Sequence, residues 1–217
     1  MKIVFDNYEI GKECQSLWGF SAYLKEYKLL FDTGSNGRVL LKNMEKLGVE
    51  VSDIEYLFIT HSHWDHIGGL DSIIELNPNI TLFVPVSLSK NLVRDLKQMV
   101  KSVVICGKKP MKLFDNLYTT GVLGSDMPEQ SLIIDGDKPE VLSGCGHYGI
   151  ENITQKAKEF LGKDIVCVTG GFHLLHSDKE KIIQTITNLK KMGVTCAKPT
   201  HCTGDLAMEM FSLNMPK

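Results

Sequence analysis

Four side chains that commonly bind metal ions stand within six consecutive residues: His61, His63, Asp65 and His66. They follow Phe58-Ile59-Thr60, which predicts the end of an apolar strand. In an extended segment residues two apart point to the same side, so His61, His63 and Asp65 can converge, and His66 can turn toward a neighbouring site as a helix begins. Imidazoles with one carboxylate suit Zn²⁺, Fe, Mn²⁺ or Co²⁺. The alternative, a solvated polar loop, is disfavoured because three crowded imidazoles repel one another when protonated.

Two of the other histidines stand in similar settings. His147 lies in a glycine-rich stretch after a predicted strand at 140–143, and His201 follows a predicted strand at 194–199. Loops held at the ends of strands by a rigid sheet commonly carry binding residues. We therefore add His147 and His201 to the candidate metal ligands.

The elements that must position these side chains are short strands alternating with helices. Helical spacing of apolar residues predicts helices near 39–47, 88–99 and 179–192, with a capping box formed by Ser177 and Glu180 before the last and Gly193 as its stop. Early strands at 2–5, 17–24 and 28–31 predict a meander. Further predicted strands cover 55–60, 80–84, 102–105, 131–135, 140–143, 164–169 and 194–199. This alternation predicts one layered α/β (α+β) domain over residues 1–217.

Composition limits the classes of function. The chain has 217 residues, of which 43% are hydrophobic and 23% charged, and its net charge of −2 offers no basic face for nucleic acid. No apolar run approaches the length of a bilayer span, and the start of the chain lacks the features of a signal peptide. The six cysteines are scattered, which favours reduced thiols and a cytoplasmic location, with Cys167 as a small hydrophobic residue of the core. We expect no membrane partner, and the oligomeric state stays open.

The combination of His-x-His-x-Asp-His after an apolar strand with two later histidines at strand ends resembles the metallo-β-lactamase superfamily. Asp32-Thr33-Gly34 is similar to the early Asp-Thr-Gly motif of that family, and the resemblance covers nearly the whole chain. It implies a four-layer αββα sandwich of two mixed sheets. It also implies two divalent metal ions, with zinc expected and iron or manganese as alternatives. The implied ligands are His61, His63 and His147 for the first ion and Asp65, His66 and His201 for the second.

The resemblance also implies roles for residues around the ligands. Asp32 is expected to orient a ligand histidine by accepting a hydrogen bond, although a turn-forming aspartate is the alternative. Most superfamily members carry a bridging aspartate on a late strand, where this chain reads Thr169-Gly170-Gly171-Phe172-His173 without a carboxylate. Either a water alone bridges the ions or one site is weak. His173 is expected to line the pocket and to contact substrate or bound water, with a purely structural role as the alternative.

A finer resemblance points to a subgroup of the superfamily. Several segments are similar to archaeal and bacterial proteins related to dihydropterin–ribofuranosylaminobenzene phosphate synthase, many of which are metal-dependent hydrolases. These segments are Glu129-Gln130-Ser131-Leu132, residues 143–153, residues 170–174 and His201-Cys202-Thr203-Gly204.

We expect a hydrolase in which a metal-activated water attacks a phosphoester or other ester of a small molecule, with Asp65 as ligand and proton acceptor and His173 as a further catalytic residue. The alternatives are a pterin-condensing transferase and a metal-binding module without catalysis.

Overall fold

The structure is a computed structural model that describes residues 1–215. The chain divides into two compact units, an N-terminal unit, Met1–Cys106, and a C-terminal unit that begins at Gly107. Each unit has its own six-stranded mixed sheet and its own hydrophobic core.

The sheet of the N-terminal unit has the strand order β1-β2-β3-β4-β5-β6. Strands β1 to β3 form the predicted antiparallel meander, and β3 to β6 run parallel to one another. The strands are β1 Lys2–Phe5, β2 Ser21–Leu24, β3 Leu29–Phe31, β4 Tyr56–Phe58, β5 Thr81–Pro85 and β6 Ser102–Cys106. Parallel strands place their carboxyl ends at one edge of the sheet, where loops that carry ligands can meet.

Four helices accompany this sheet: α1 Gly37–Lys46, α2 Trp64–Ile67, α3 Leu70–Leu76 and α4 Lys90–Met99. Helix α1 begins where the side chain of Asn36 accepts the Val39 N–H. Its apolar face, which includes Leu40 and Met44, is buried in a core shared with strand residues such as Leu30 and Leu57. The predicted helical spacing around 39–47 and 88–99 is thus confirmed.

The sheet of the C-terminal unit has the strand order β12-β11-β10-β9-β8-β7. Strands β7 to β10 are antiparallel, whereas β10, β11 and β12 are parallel neighbours. The strands are β7 Met111–Phe114, β8 Leu117–Thr119, β9 Leu132–Ile134, β10 Glu140–Ser143, β11 Cys167–Gly171 and β12 Cys196–Thr200. The helices are α5 Ile150–Leu161, α6 Lys179–Lys191 and α7 Asp205–Asn214.

The start of helix α6 differs from the sequence prediction. Helix α6 is capped by Asp178, whose carboxylate accepts the Lys181 N–H at 2.8 Å, so the capping box predicted on Ser177 is wrong. A carboxylate suits this position because it also meets the positive end of the helix dipole. Gly193 follows the helix in a left-handed conformation, as predicted.

The prediction that all six cysteines are reduced is also wrong. Cys167 and Cys196 form a disulfide between directly paired residues of β11 and β12. Parallel pairing in register brings the two Cα atoms to 4.5 Å, which is within reach of a disulfide.

Within residues 1–215, no helix combines the length and the apolar character needed to cross a bilayer.

Candidate metal-binding clusters

The first cluster lies at the carboxyl edge of the N-terminal sheet. Asp32 follows β3, and Thr60 and His61 follow β4, which is the parallel neighbour of β3. A backbone hydrogen bond from Asp32 N to Phe58 O ties the two strand ends together at 2.8 Å. Parallel pairing therefore brings two segments that are far apart in sequence to one place.

Asp32 organises this cluster through its buried carboxylate. Its Oδ1 accepts the Thr60 N–H at 2.8 Å, and its Oδ2 accepts both the Thr60 hydroxyl and the His66 Nδ1–H at 2.7 Å. All three residues are fully buried. The carboxylate thus fixes the proton of His66 on Nδ1 and leaves Nε2 as the acceptor nitrogen. That Asp32 orients a metal ligand stays a prediction.

The same network fixes the tautomer of His61. Thr60 donates its hydroxyl hydrogen to Asp32, so its oxygen accepts the His61 Nδ1–H at 2.8 Å. The acceptor nitrogen of His61 is therefore Nε2. This relay explains why a threonine stands between the strand and the first histidine, a role that the sequence did not reveal.

Potential metal-binding atoms of neighbouring side chains face one another in this cluster. His61 Nε2 lies 3.1 Å from His63 Nδ1, and His66 Nε2 lies 3.7 Å from an Asp65 carboxylate oxygen. Two nitrogens bound to one tetrahedral zinc ion are about 3.3 Å apart, given Zn–N bonds of about 2.0–2.1 Å. The separation of His61 from His63 is close to this value, and that of His66 from Asp65 is longer. The two pairs parallel the predicted division of these ligands between two ions.

Local chain direction produces these pairs. His63 is extended and immediately precedes α2, so His66 falls one turn into the helix while His61 and His63 stay in the extended segment. The His66 carbonyl accepts hydrogen bonds from Thr33 N and Thr33 Oγ1, which anchors the helix to the loop after β3. The expected turn of His66 into a helix is confirmed.

The second cluster follows the three parallel strands of the C-terminal unit. His147 comes after β10, His173 after β11 and His201 after β12. His201 is fully buried, His147 is half-buried and His173 is exposed. Both His173 and His201 have a φ of 52°, in the left-handed region that side-chain-bearing residues seldom adopt and that is enriched at functional sites.

A buried glutamate holds the loop that carries His147. The carboxylate of Glu129 accepts the N–H groups of Cys145 at 2.8 Å, Gly146 at 3.1 Å and His147 at 2.8 Å. Hydrogen bonds to an ionised acceptor are roughly twice as strong as neutral ones. Glu129 was noted in the sequence only as part of a resemblance, and the signal for its role is an acidic residue that the fold buries.

His173 lies beside His147. The two imidazole rings are 4.3 Å apart between centroids and tilted by 52°. A hydrogen bond with the Cys202 thiol raises the pKa of His173 above its ordinary value, although burial acts in the opposite direction. The ring of His173 therefore lies against His147 and is held by a hydrogen bond with a buried thiol.

Thus Asp32, His61, His63, Asp65 and His66 lie together in one cluster, and His147, His173 and His201 each follow a parallel strand in the other unit. No residue between Thr169 and His173 is acidic, in agreement with the sequence. His176 is exposed, as expected of a residue outside the site. The residues that the sequence analysis did not single out are Thr60, Glu129 and Cys145.

Comparison with known proteins adds family evidence to this geometry. The family model described as metallo-beta-lactamase superfamily matches residues 14–94. The 7,8-dihydropterin-6-methyl-4-(beta-D-ribofuranosyl)-aminobenzene-5'-phosphate synthase of Methanocaldococcus jannaschii is 27% identical over 230 residues, which cover 85% of this chain and 78% of that protein.

Solved structures give the same result for the fold. Tm1679, described as a metal-dependent hydrolase of the beta-lactamase superfamily, superposes with a TM-score of 0.81 at 25% identity, covering 99% of this chain and 92% of that one. YhfI from Bacillus subtilis, a metallo-beta-lactamase fold protein, gives a TM-score of 0.67 at 13% identity, covering 99% and 92% of the two chains. The predicted fold class is confirmed, and this chain belongs to the metallo-β-lactamase superfamily.

Proposed function

We propose that this protein is a binuclear metal-dependent hydrolase that acts on a phosphoester or another ester of a small molecule. The observation that carries the proposal is the close approach of two imidazole nitrogens, His61 Nε2 and His63 Nδ1, at 3.1 Å. Two nitrogens bound to one tetrahedral zinc ion are about 3.3 Å apart, so these two side chains can share an ion with little movement. Similarity to Tm1679, described as a metal-dependent hydrolase, supports the reaction class.

The chain's own residues prepare such a centre before an ion arrives. Asp32 and Thr60 hold the protons of His66 and His61 on Nδ1, so both Nε2 atoms stay available as ligands. When bound, divalent ions act as Lewis acids and lower the pKa of a coordinated water toward neutrality. Asp65, at only 5% exposure, combines the roles of ligand and proton acceptor in this proposal.

Asp65 accepts a proton in this proposal, and His173 is the residue that donates one. Its exposed ring stands against His147 and hydrogen-bonds the buried Cys202 thiol, which fixes its orientation. An imidazole with a raised pKa keeps its proton further into the neutral range, so it can protonate a leaving group. We propose that His173 donates a proton to the departing oxygen of the ester.

Turnover of a panel of chromogenic phosphate and carboxylate esters by the metal-reconstituted protein tests the proposal. His63→Ala is expected to abolish turnover while the far-ultraviolet circular dichroism stays that of the parent. His176→Ala is the matched control, because His176 is an exposed histidine outside both clusters. Full turnover by a folded His63→Ala protein would overturn the proposal.

A second candidate function is a transferase that condenses a pterin pyrophosphate with an aminobenzene derivative. It is favoured by the similarity to the aminobenzene phosphate synthase of Methanocaldococcus jannaschii, which extends over 85% of this chain. The same ligand clusters would then hold ions that activate a diphosphate leaving group. Release of pyrophosphate only when both substrates are present would favour the transferase over the hydrolase.

A further inference from the structure

A buried thiol stands among the histidines of the C-terminal unit. Cys145 Sγ lies 3.4 Å from His201 Nε2 and within 4.8 Å of a ring nitrogen of His147. Cys145 is 3% exposed and His201 is fully buried. The thiol therefore faces two side chains that the family resemblance assigns to two different metal ions.

The distance from Cys145 to His201 has the size expected for two ligands of one ion. With a Zn–S bond of about 2.3 Å and a Zn–N bond of about 2.0–2.1 Å, a tetrahedral ion holds its sulfur and nitrogen ligands about 3.5 Å apart. The observed separation of 3.4 Å is close to this value. Neither side chain would need to move far to share an ion.

The backbone of Cys145 is fixed on both sides, so the position of its thiol is set by the fold. Its N–H donates to Glu129 at 2.8 Å, and its carbonyl accepts from the Cys202 thiol at 3.3 Å. Ligands that are held in place before binding lose little conformational freedom when an ion arrives. This support resembles what Asp32 provides for His66 in the other cluster.

The end of β11 explains why sulfur, and not a carboxylate, occupies this place. A Cβ atom at Gly170 would lie 2.0 Å from the Ser143 carbonyl oxygen, and one at Gly171 would lie 2.4 Å from the Gly144 carbonyl oxygen. Any side chain at these positions would collide with the backbone of the loop that carries Cys145. The backbone of this loop occupies the space in which a side chain of β11 would lie. Cys145 supplies the donor atom there.

We propose that Cys145 is a metal ligand, whose thiolate is shared between the ions bound at His147 and His201 in place of the bridging carboxylate that this chain lacks. The inference rests on the proposed function in one respect, since it requires that ions bind at these histidines. The thiol proton is released to solvent as the ion binds. A thiolate also makes the centre softer, which favours zinc over manganese.

Replacement of the native metal by Co²⁺ tests the assignment without any measurement of activity. Visible d–d bands report that Co²⁺ is bound, and a near-ultraviolet charge-transfer band reports a thiolate ligand. The wild-type protein is expected to show both kinds of band. Cys145→Ser is expected to keep the visible bands and to lose the charge-transfer band, whereas Cys106→Ser, which alters a buried free cysteine outside both clusters, is expected to keep both.

X-ray absorption of the zinc-loaded wild-type protein gives a reading that does not depend on any variant folding. The proposal predicts a sulfur neighbour at about 2.3 Å from zinc. Two results would overturn the role of Cys145 and leave the proposed hydrolase intact: wild-type protein that shows the visible cobalt bands but no charge-transfer band, and zinc-loaded protein whose zinc has no sulfur neighbour. A charge-transfer band that survives Cys145→Ser would also overturn it. Failure to bind Co²⁺ or Zn²⁺ at all would overturn both this inference and the proposed function.

Discussion

The Nδ1–H of His66 donates to the carboxylate of Asp32 at 2.7 Å, and both side chains are fully buried. Asp32 follows β3, and His66 lies in α2, which comes after β4. The contact therefore joins the Asp-Thr-Gly motif to the His-x-His-x-Asp-His motif. Through Thr60 the same carboxylate also reaches His61. One acidic residue thus sets the tautomers of two candidate ligands.

Asp32→Asn is expected to weaken metal binding about 10–100-fold, as is usual when a hydrogen-bond partner of a ligand histidine is removed. The asparagine NH₂ group would face His66 Nδ1 and force the proton onto Nε2, where a metal needs a lone pair. Competition with a chromophoric chelator measures the change. Asp71→Asn, at an exposed aspartate of α3, is the control and should leave the affinity unchanged. Equal affinities of the Asp32→Asn and wild-type proteins would refute this role of Asp32.

Thr60→Val is expected to lower the free energy of unfolding of the metal-free protein by about 1–3 kcal/mol, because Asp32 and His61 each lose a buried hydrogen-bond partner. Thr60→Ser keeps the hydroxyl and should recover most of the loss. Urea denaturation of both variants and the wild type measures the difference. If Thr60→Ser were as unstable as Thr60→Val, the methyl group and not the hydroxyl relay would be responsible.

Glu129→Gln is expected to destabilise the loop that carries His147. The glutamine amide has only one acceptor oxygen, so at least one of the three N–H groups now bound to Glu129 would meet another donor, at a cost of about 1–3 kcal/mol. Urea denaturation gives the stability, and chelator competition gives the metal affinity, which should also fall. Glu209→Gln, at an exposed glutamate of α7, is the control. No change in either quantity would show that the loop does not depend on Glu129.

The sequence predicted most of the elements because their patterns are local. The alternation around 80–84 and the helical spacing around 179–192 appear in the structure as β5 and α6. Strands β7 and β8 and helices α5 and α7 were not predicted. The short strands are stabilised by pairing with neighbours, which no local pattern encodes.

The first group of candidate ligands could be found in the sequence for a related reason, since His61, His63, Asp65 and His66 stand within six consecutive residues. The groups that orient them could not. Glu129 is 18 residues from His147, and Asp32 is 34 residues from His66, so only the pairing of strands brings each to its partner. The disulfide between Cys167 and Cys196 was missed for the same reason, because it depends on the register of β11 and β12.

Gly170→Ala is expected to destabilise the protein by about 3 kcal/mol or more, since the new methyl group would collide with the Ser143 carbonyl and the residue has a φ of 107°. Gly136→Ala is the matched control, because a Cβ atom there meets nothing within 4 Å. Thermal unfolding monitored by circular dichroism compares the two. A Gly170→Ala protein as stable as the control would mean that the loop before His147 is free to move away from β11.

The metal content of the protein tests the central claim most directly. After reconstitution in chelator-free, phosphate-free buffer and removal of unbound ions, elemental analysis is expected to find about two equivalents of zinc, iron or manganese per chain. His61→Ala should lower this content, whereas His176→Ala should not. A folded protein that retains no metal after reconstitution would contradict the claim that these histidines form a metal centre, and a single equivalent would contradict its division between two ions.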